Sequence, residues 1–231
     1  MSAVHPTFEP ALLSARDLAA GVRLFRFASP PGFSFVPGQF LMFHFADDPK
    51  TWRAYSVCSA PQAATHYFEV AVGMVGAFSE RLGALAPGGA RGLVCRGPFG
   101  KWTWAGEGHA VLVAGGTGVT PFRAMVLHGR GRVTVCCSAK TPETLLFADE
   151  FPAWEKAGAK VHARVTQAAW SGATGRWTAD AVVAAAADPD ATYFLCGSKS
   201  LVTDMKTGLL AAGVAPAKVR TENWGDYSDL F

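Results

Sequence analysis

The stretch WRAYSVCSAP, Trp52 to Pro61, sets Arg53, Ala54, Tyr55 and Ser56 in a run that otherwise reads as a strand. A strand advances roughly 3.3 Å per residue and sends successive side chains to opposite faces. Arg53 and Tyr55 therefore share a face, and Ser56 takes the other. A guanidinium suits a phosphate, a phenol ring suits a flat aromatic, and a hydroxyl suits the polar edge of a ring. The grouping fits a long planar ligand with an anionic end. An exposed edge strand with an incidental arginine fits it too.

A second group lies in VLVAGGTGVTPF, Val111 to Phe122, where an apolar run passes through Gly115, Gly116, Thr117 and Gly118 toward Thr120 and Pro121. Glycines let a backbone come close to a ligand, and a helix N-terminus offers free N–H groups and a positive dipole end. The pattern is neither GxGxxG nor GxxxxGK[ST], which leaves a pyrophosphate loop of another kind or a tight turn. FLCGSKS repeats the arrangement later with Cys196, Gly197 and Ser198. A parallel sheet brings such strand ends to one edge, so Cys196 is expected near Gly115 to Thr120. The plain alternative for Cys196 is a buried structural thiol.

The elements that must carry these groups follow two grammars. From residue 8 to about 104, short apolar runs are broken by Gly and Pro, as in RLFRFASPPG, HYFEVAVGMVG and RGLVCRGPFG. That spacing predicts an antiparallel sandwich or barrel. One helix is expected there, AFSERLGAL, with Phe78, Leu82 and Leu85 on one face. After Gly106, the apolar strands AVLVAGG, RVTVCCSA, KVHARVT and ATYFLCG alternate with helical stretches. These are PFRAMVLHG, ETLLFADEFPAWEKAG, ADAVVAAAA and SLVTDMKTGLLAAG. Strands apolar throughout, alternating with helices, predict a parallel sheet covered on both faces. The expected fold is thus two-domain: an antiparallel β-barrel over residues 1–104, an α/β parallel-sheet domain over 108–222, and a tail over 223–231.

Composition narrows the function. The chain has 231 residues, 50% of them hydrophobic and 17% charged, which is ample for a packed core. A net charge of +3 is too small to argue for nucleic acid. No apolar run is long enough for a membrane span, and the N-terminus lacks a basic flank before an apolar core. The five cysteines have no metal-ligand spacing, so neither a metal nor a cluster is expected, and a reducing cytoplasm is the simplest setting. None of the six histidines sits in a motif, and all read as structural or surface residues.

Taken in order, RAYS, GAFS, GPFG, GGTGVTP and LCGS resemble the motifs of the ferredoxin–NAD(P)H reductase family of flavoproteins, over nearly the whole chain. The resemblance implies an FAD barrel followed by a pyridine-nucleotide domain. In it, nicotinamide C4 passes hydride to flavin N5, and the reduced flavin releases electrons to an acceptor. Carried over, Arg53 meets the FAD pyrophosphate, Tyr55 packs on the flavin and ribityl chain, and Ser56 approaches N5. The backbone of Gly76, Ala77, Phe78 and Ser79 binds the diphosphate, and Thr117 and Trp224 complete the FAD contacts. Gly115, Gly116, Thr117, Gly118, Thr120, Pro121, Cys196, Gly197 and Ser198 receive the nicotinamide dinucleotide. Cys196 and Glu222 position the nicotinamide. Trp224 stands against the flavin ring. The tail GDYSDLF departs from the shortest family endings, and it is expected to fold back over the flavin or the adenine side, with Tyr227 or Phe231 as the contact.

A 2′-phosphate needs cations or hydroxyls beyond the second and third strands of the sheet, where Lys140, Thr166 and Arg176 stand. Gln167 is uncharged where NADPH-using relatives commonly carry arginine, so NADH is favoured. The expected acceptor is a redox protein: a ferredoxin, a flavodoxin or an oxygenase component. The alternatives are a reductase of free flavin and a non-catalytic electron-transfer subunit.

Overall fold

Strand β7 (Leu93–Phe99) shows the rule that builds the first half: Leu93, Cys95, Gly97 and Phe99 are buried, while Val94, Arg96 and Pro98 stay half-exposed. In the computed structural model, which describes residues 5–88 and 91–222, such strands form two antiparallel sheets. One has the order β1 (Thr7–Phe8), β7, β4 (Phe40–Phe45), β5 (Asp48–Ser56), and the other β2 (Leu12–Ala19), β3 (Val22–Ala28), β6 (Tyr67–Gly73). A bridge between Val57 and Val70 joins them beyond the end of β5. Phe25, Phe27, Phe43 and Phe68 fill the space between the sheets, and none has any exposed surface. Phe27 and Phe68 stack with centroids 5.5 Å apart. The expected helix is α1 (Ala77–Gly83).

The second half is a six-stranded parallel sheet in the order β11 (Ala173–Thr174), β10 (Lys160–Val165), β9 (Arg132–Ala139), β8 (His109–Gly115), β12 (Thr192–Cys196), β13 (Val219–Thr221). Val111, Leu112, Val113, Phe194 and Leu195 are completely buried, as a central parallel strand requires. Helices α4 (Ala179–Ala186) and α5 (Lys199–Ala211) supply Val182, Val202, Met205 and Leu209 to the core beside β8 and β12. The order reverses between β8 and β12, because β9 and β10 lie on one side of β8 and β12 and β13 on the other. Such a switch point opens a crevice at the carboxyl ends of the strands, here Gly115 and Cys196.

The segment ETLLFADEFPAWEKAG departs from its expected helix. Only α3 (Phe151–Lys156) is α-helical, after short 3₁₀ turns at Pro142–Thr144 and Ala148–Glu150. Leu145, Leu146 and Phe147 are all buried, and three adjacent residues cannot share one helical stripe. Phe147 takes a left-handed backbone (φ 61°) to turn the chain.

By its contacts the chain falls into two compact units. One comprises the described parts of residues 1–105 together with Thr120–Arg130, and the other the described parts of 106–119 and 131–231. Helix α2 (Thr120–Leu127) therefore packs with the first unit, and its Ala124 belongs to the core around Phe27 and Phe43. Among the described residues, no helix is long and apolar enough to cross a membrane.

Candidate functional site

In the first unit, two motifs meet on one ring. Pairing with β4 sets Tyr55 opposite Leu41 and Ser56 opposite Phe40. On the shared face, the Arg53 guanidinium lies 5.9 Å from the Phe78 ring centroid and the Tyr55 ring lies 6.3 Å from it. Phe78, the second residue of α1, also packs on Phe45 at 5.1 Å. RAYS and GAFS are thus one patch, with Ser56 directed to the other side of its strand by the alternation. Arg53 is exposed, and its Nη1 donates to the Trp52 carbonyl at 2.8 Å. Burial pushes the Tyr55 hydroxyl up to about 12, with the nearby Arg53 charge opposing, so the phenol stays neutral at physiological pH.

The start of α1 is organised by Ser79. Its Oγ accepts from the N–H of Val75 at 3.0 Å and of Gly76 at 3.1 Å, and donates to the Gly76 carbonyl at 2.8 Å. The N–H groups of Ala77, Phe78 and Ser79 belong to a first turn, which has no intrahelical acceptor for them. Gly76 itself is extended (φ 175°), a conformation open to any residue, and a Cβ placed there would meet nothing within 4 Å. Neither the backbone nor the packing of this chain demands glycine at 76. A ligand that approaches the backbone closely would.

In the second unit the GGTG and CG loops touch. A Cβ on Gly118 would collide with the Cys196 carbonyl and stand 2.8 Å from the Gly197 nitrogen; one on Gly197 would stand 3.2 Å from the Gly115 nitrogen. Gly197 (φ +152°) and Gly116 (φ +54°) also hold backbone angles that side chains disfavour. Around Gly116 a Cβ would find open space. Beside this loop, the Thr120 hydroxyl is buried without a hydrogen-bond partner. Pro121 enters the first turn of α2, where a missing N–H costs nothing. Thr117 is half-buried in the turn between β8 and α2.

Cys196 is fully buried, and its thiol donates to Glu222 Oε2 at 3.6 Å. The backbone N–H of Glu222 in turn donates to the Leu195 carbonyl at 3.3 Å, fixing it beside the end of β12. Ser198 caps α5, its Oγ accepting from the Leu201 N–H at 3.3 Å. Lys140 and Thr166 are neighbours: the Gln167 N–H donates to the Lys140 carbonyl at 2.9 Å, and Thr166 Oγ1 to the Ala139 carbonyl at 3.1 Å. Lys140, Gln167 and Arg176 are exposed. Trp224 and the tail residues Tyr227 and Phe231 lie outside the described residues.

Two residues of the site region went unremarked in the sequence, Glu69 and Arg123. Each is the lone charge in an apolar run, YFEVAVG and PFRAMVL, and that isolation was the available signal. They form a buried ion pair at 2.8 Å. Among the described residues, no group of three His, Cys, Asp or Glu could hold a metal ion.

Two family profiles match the chain: one described as an oxidoreductase FAD-binding domain over residues 10–104, and one as an oxidoreductase NAD-binding domain over residues 112–207. Ferredoxin--NADP reductase B of Sorangium cellulosum (strain So ce56) is 30% identical over 242 residues, spanning 94% of this chain and 97% of that protein. Among solved structures, a ferredoxin NADP+ reductase from Neisseria gonorrhoeae with bound FAD and NADP matches with a TM-score of 0.79 and 22% identity. That match covers 94% of this chain and 98% of the other. The ferredoxin reductase in carbazole 1,9a-dioxygenase matches with a TM-score of 0.81 and 21% identity, over 97% of this chain and 71% of the other. At these identities the two structures establish likeness of fold.

Proposed function

Because the chain belongs to the ferredoxin–NADP reductase family, we propose that it is an NAD(P)H reductase that passes electrons to a separate redox protein. The chain is a flavin-dependent oxidoreductase that uses FAD and a nicotinamide dinucleotide. Bound FAD supplies a ring that takes hydride from nicotinamide and gives up electrons to the acceptor.

The protein's own groups bind and orient. Residues 1–104 hold FAD: Arg53 neutralises the pyrophosphate and Tyr55 offers a flat wall. Ser56 offers a hydroxyl to the polar ring edge, and the first turn of α1 from Gly76 to Ser79 receives diphosphate oxygens. Residues 108–222 hold the nucleotide along Gly115–Pro121 and Cys196–Ser198. The hydrogen bond from Cys196 to Glu222 keeps the thiol proton aimed at a carboxylate and shapes the end of β12 for the nicotinamide. The observation that carries this reading is the pressing of Gly118 against Cys196 at the switch point, beside an open Gly116 and an unpartnered Thr120 hydroxyl.

The open backbone at Gly76 favours a retained diphosphate-bearing FAD over free flavin as a substrate. Gln167 adds no charge to that of Lys140 beside it, and the missing second cation for a 2′-phosphate favours NADH. The acceptor is a ferredoxin, a flavodoxin or an oxygenase component. Anaerobic addition of NADH and then NADPH to the purified protein tests the reading. Bleaching of flavin absorbance is expected, faster with NADH, and no bleaching by either overturns it. A colourless protein that reduces added riboflavin would favour the free-flavin reading instead.

A further inference from the structure

Glu69 sits mid-strand in β6 with 2% of its surface exposed, and its carboxylate is gripped from two sides. Arg26 donates to Oε1 from Nε at 2.9 Å, and Arg123 donates to Oε2 from Nη1 at 2.8 Å. The same Arg123 Nη1 donates to the carbonyl of Cys58 at 2.8 Å. Cys58 is tied to Glu69 a second time, its N–H donating to the Glu69 carbonyl at 2.8 Å. Next to it, the buried Ser59 Oγ accepts the Glu69 N–H at 3.2 Å.

These bonds converge on the chain just beyond RAYS. Cys58 and Ser59 follow, just past Val57, the strand that presents Tyr55 and Ser56, and Arg123 stands in the first turn of α2, directly after the glycine loop. Buried charges are costly to desolvate, and a well-packed apolar trio would hold a core as firmly. What the apolar trio lacks is direction: a guanidinium with one N–H on a carbonyl and another on a carboxylate admits a single register.

We propose that Arg123 is a positioning residue: through Glu69 and the Cys58 carbonyl it fixes the register between the strand end that presents Tyr55 and Ser56 and the helix that begins at the nucleotide loop. By doing so it holds in place the wall that Tyr55 and Ser56 offer the flavin and the start of the helix that follows the glycine loop. This role rests on the hydride-transfer reading above.

The test uses the full chain carrying Arg123→Lys, which keeps the charge and loses the planar fork. A second variant, Glu69→Met with Arg123→Met, removes both buried charges at once and leaves unpaired only Arg26, whose side chain is 43% exposed and reaches water. Bound FAD per chain, nucleotide Kd, the rate of flavin bleaching by saturating NADH, and the long-wavelength absorbance of stacked nicotinamide and flavin are measured in each. Amide exchange at Cys58 and over the first turn of α2 is followed in the FAD-free protein. Both variants are expected to keep FAD and nucleotide affinity while bleaching slows about tenfold, the size of effect small misplacements produce. The long-wavelength band weakens, and exchange at Cys58 quickens. Bleaching, band and exchange that match the parent overturn the role, as does a rate loss fully explained by lost FAD or weakened nucleotide binding. A parent protein that never bleaches overturns the hydride reading, whatever the variants do.

Discussion

The carbonyl of Cys196 presses on the backbone of Gly118 so closely that a methyl group on residue 118 would overlap it and stand 2.8 Å from the Gly197 nitrogen. Both obstacles are backbone and cannot swing aside. Gly118→Ala must therefore push the glycine loop away from the end of β12. The expected loss is about 1–3 kcal/mol of stability, the range for overpacked sites. Nucleotide Kd should rise by at least about tenfold, equivalent to 1.4 kcal/mol, while FAD content holds. Thermal unfolding and a nucleotide titration check both. An unchanged Kd would remove the loop from the nucleotide site.

Gly76 makes the opposite case. Its backbone is extended and a Cβ there meets nothing, so Gly76→Ala should leave thermal stability of the FAD-free protein within about 0.5 kcal/mol, as for an unconstrained surface change. On the proposed reading the first turn of α1 receives the diphosphate, which the same methyl group would crowd, and FAD affinity should fall by about tenfold or more. Fluorescence titration of FAD-free protein measures this directly. Full FAD affinity in the variant would separate GAFS from the flavin site.

Much of the fold and of the proposed site was legible because the proposed chemistry draws on residue types with few other uses. Arg53, Tyr55 and three glycines before a helix stand out in apolar runs, and period-two burial marks β7 plainly. Nearness of Cys196 to Gly118 followed from parallel topology alone. Pairings between distant positions were not legible: nothing local links Glu69 to Arg123, 54 residues on, or sends Phe78 to the ring of Tyr55. The segment after β9 misled because LLF looks helical by composition, while the decision lay in the burial of all three side chains. Helix α2 reads as part of a βαβ unit, yet its packing serves the first unit's core through Ala124.

Cys196 and Glu222 test whether the end of β12 orients the nicotinamide. Cys196→Ala deletes the thiol that donates to Glu222, whereas Cys196→Ser keeps a donor on a shorter reach. Hydride transfer should slow by about tenfold in the alanine variant and less in the serine variant, with nucleotide Kd little changed. Stopped-flow bleaching at saturating NADH separates the step from binding. Equal rates in all three proteins would leave Cys196 a packing residue.

His109 makes stability depend on pH far from the proposed site. The ring is buried at the start of β8, with Nδ1 3.0 Å from Asp188 Oδ2 and Nε2 2.9 Å from Thr134 Oγ1. Burial lowers its pKa below the usual 6.5; the bond to Asp188 opposes, and the charges of Arg132 and Lys160 add to the lowering. The folded ring thus holds its proton more weakly than the unfolded one. Between the folded pKa and 6.5 the unfolded chain binds more protons, so stability from this group is complete above 6.5 and is lost as pH falls through that window. Asp188, whose own pKa is lowered first by the N–H of Asp190, stays charged throughout and contributes its slope only at lower pH. Urea midpoints measured from about pH 8 to about pH 5 should therefore decline below 6.5 in the parent. In His109→Asn, whose amide can still donate to Asp188, the decline should be shallower. A parent and variant with superimposable pH profiles would show that the ring protonates as easily folded as unfolded.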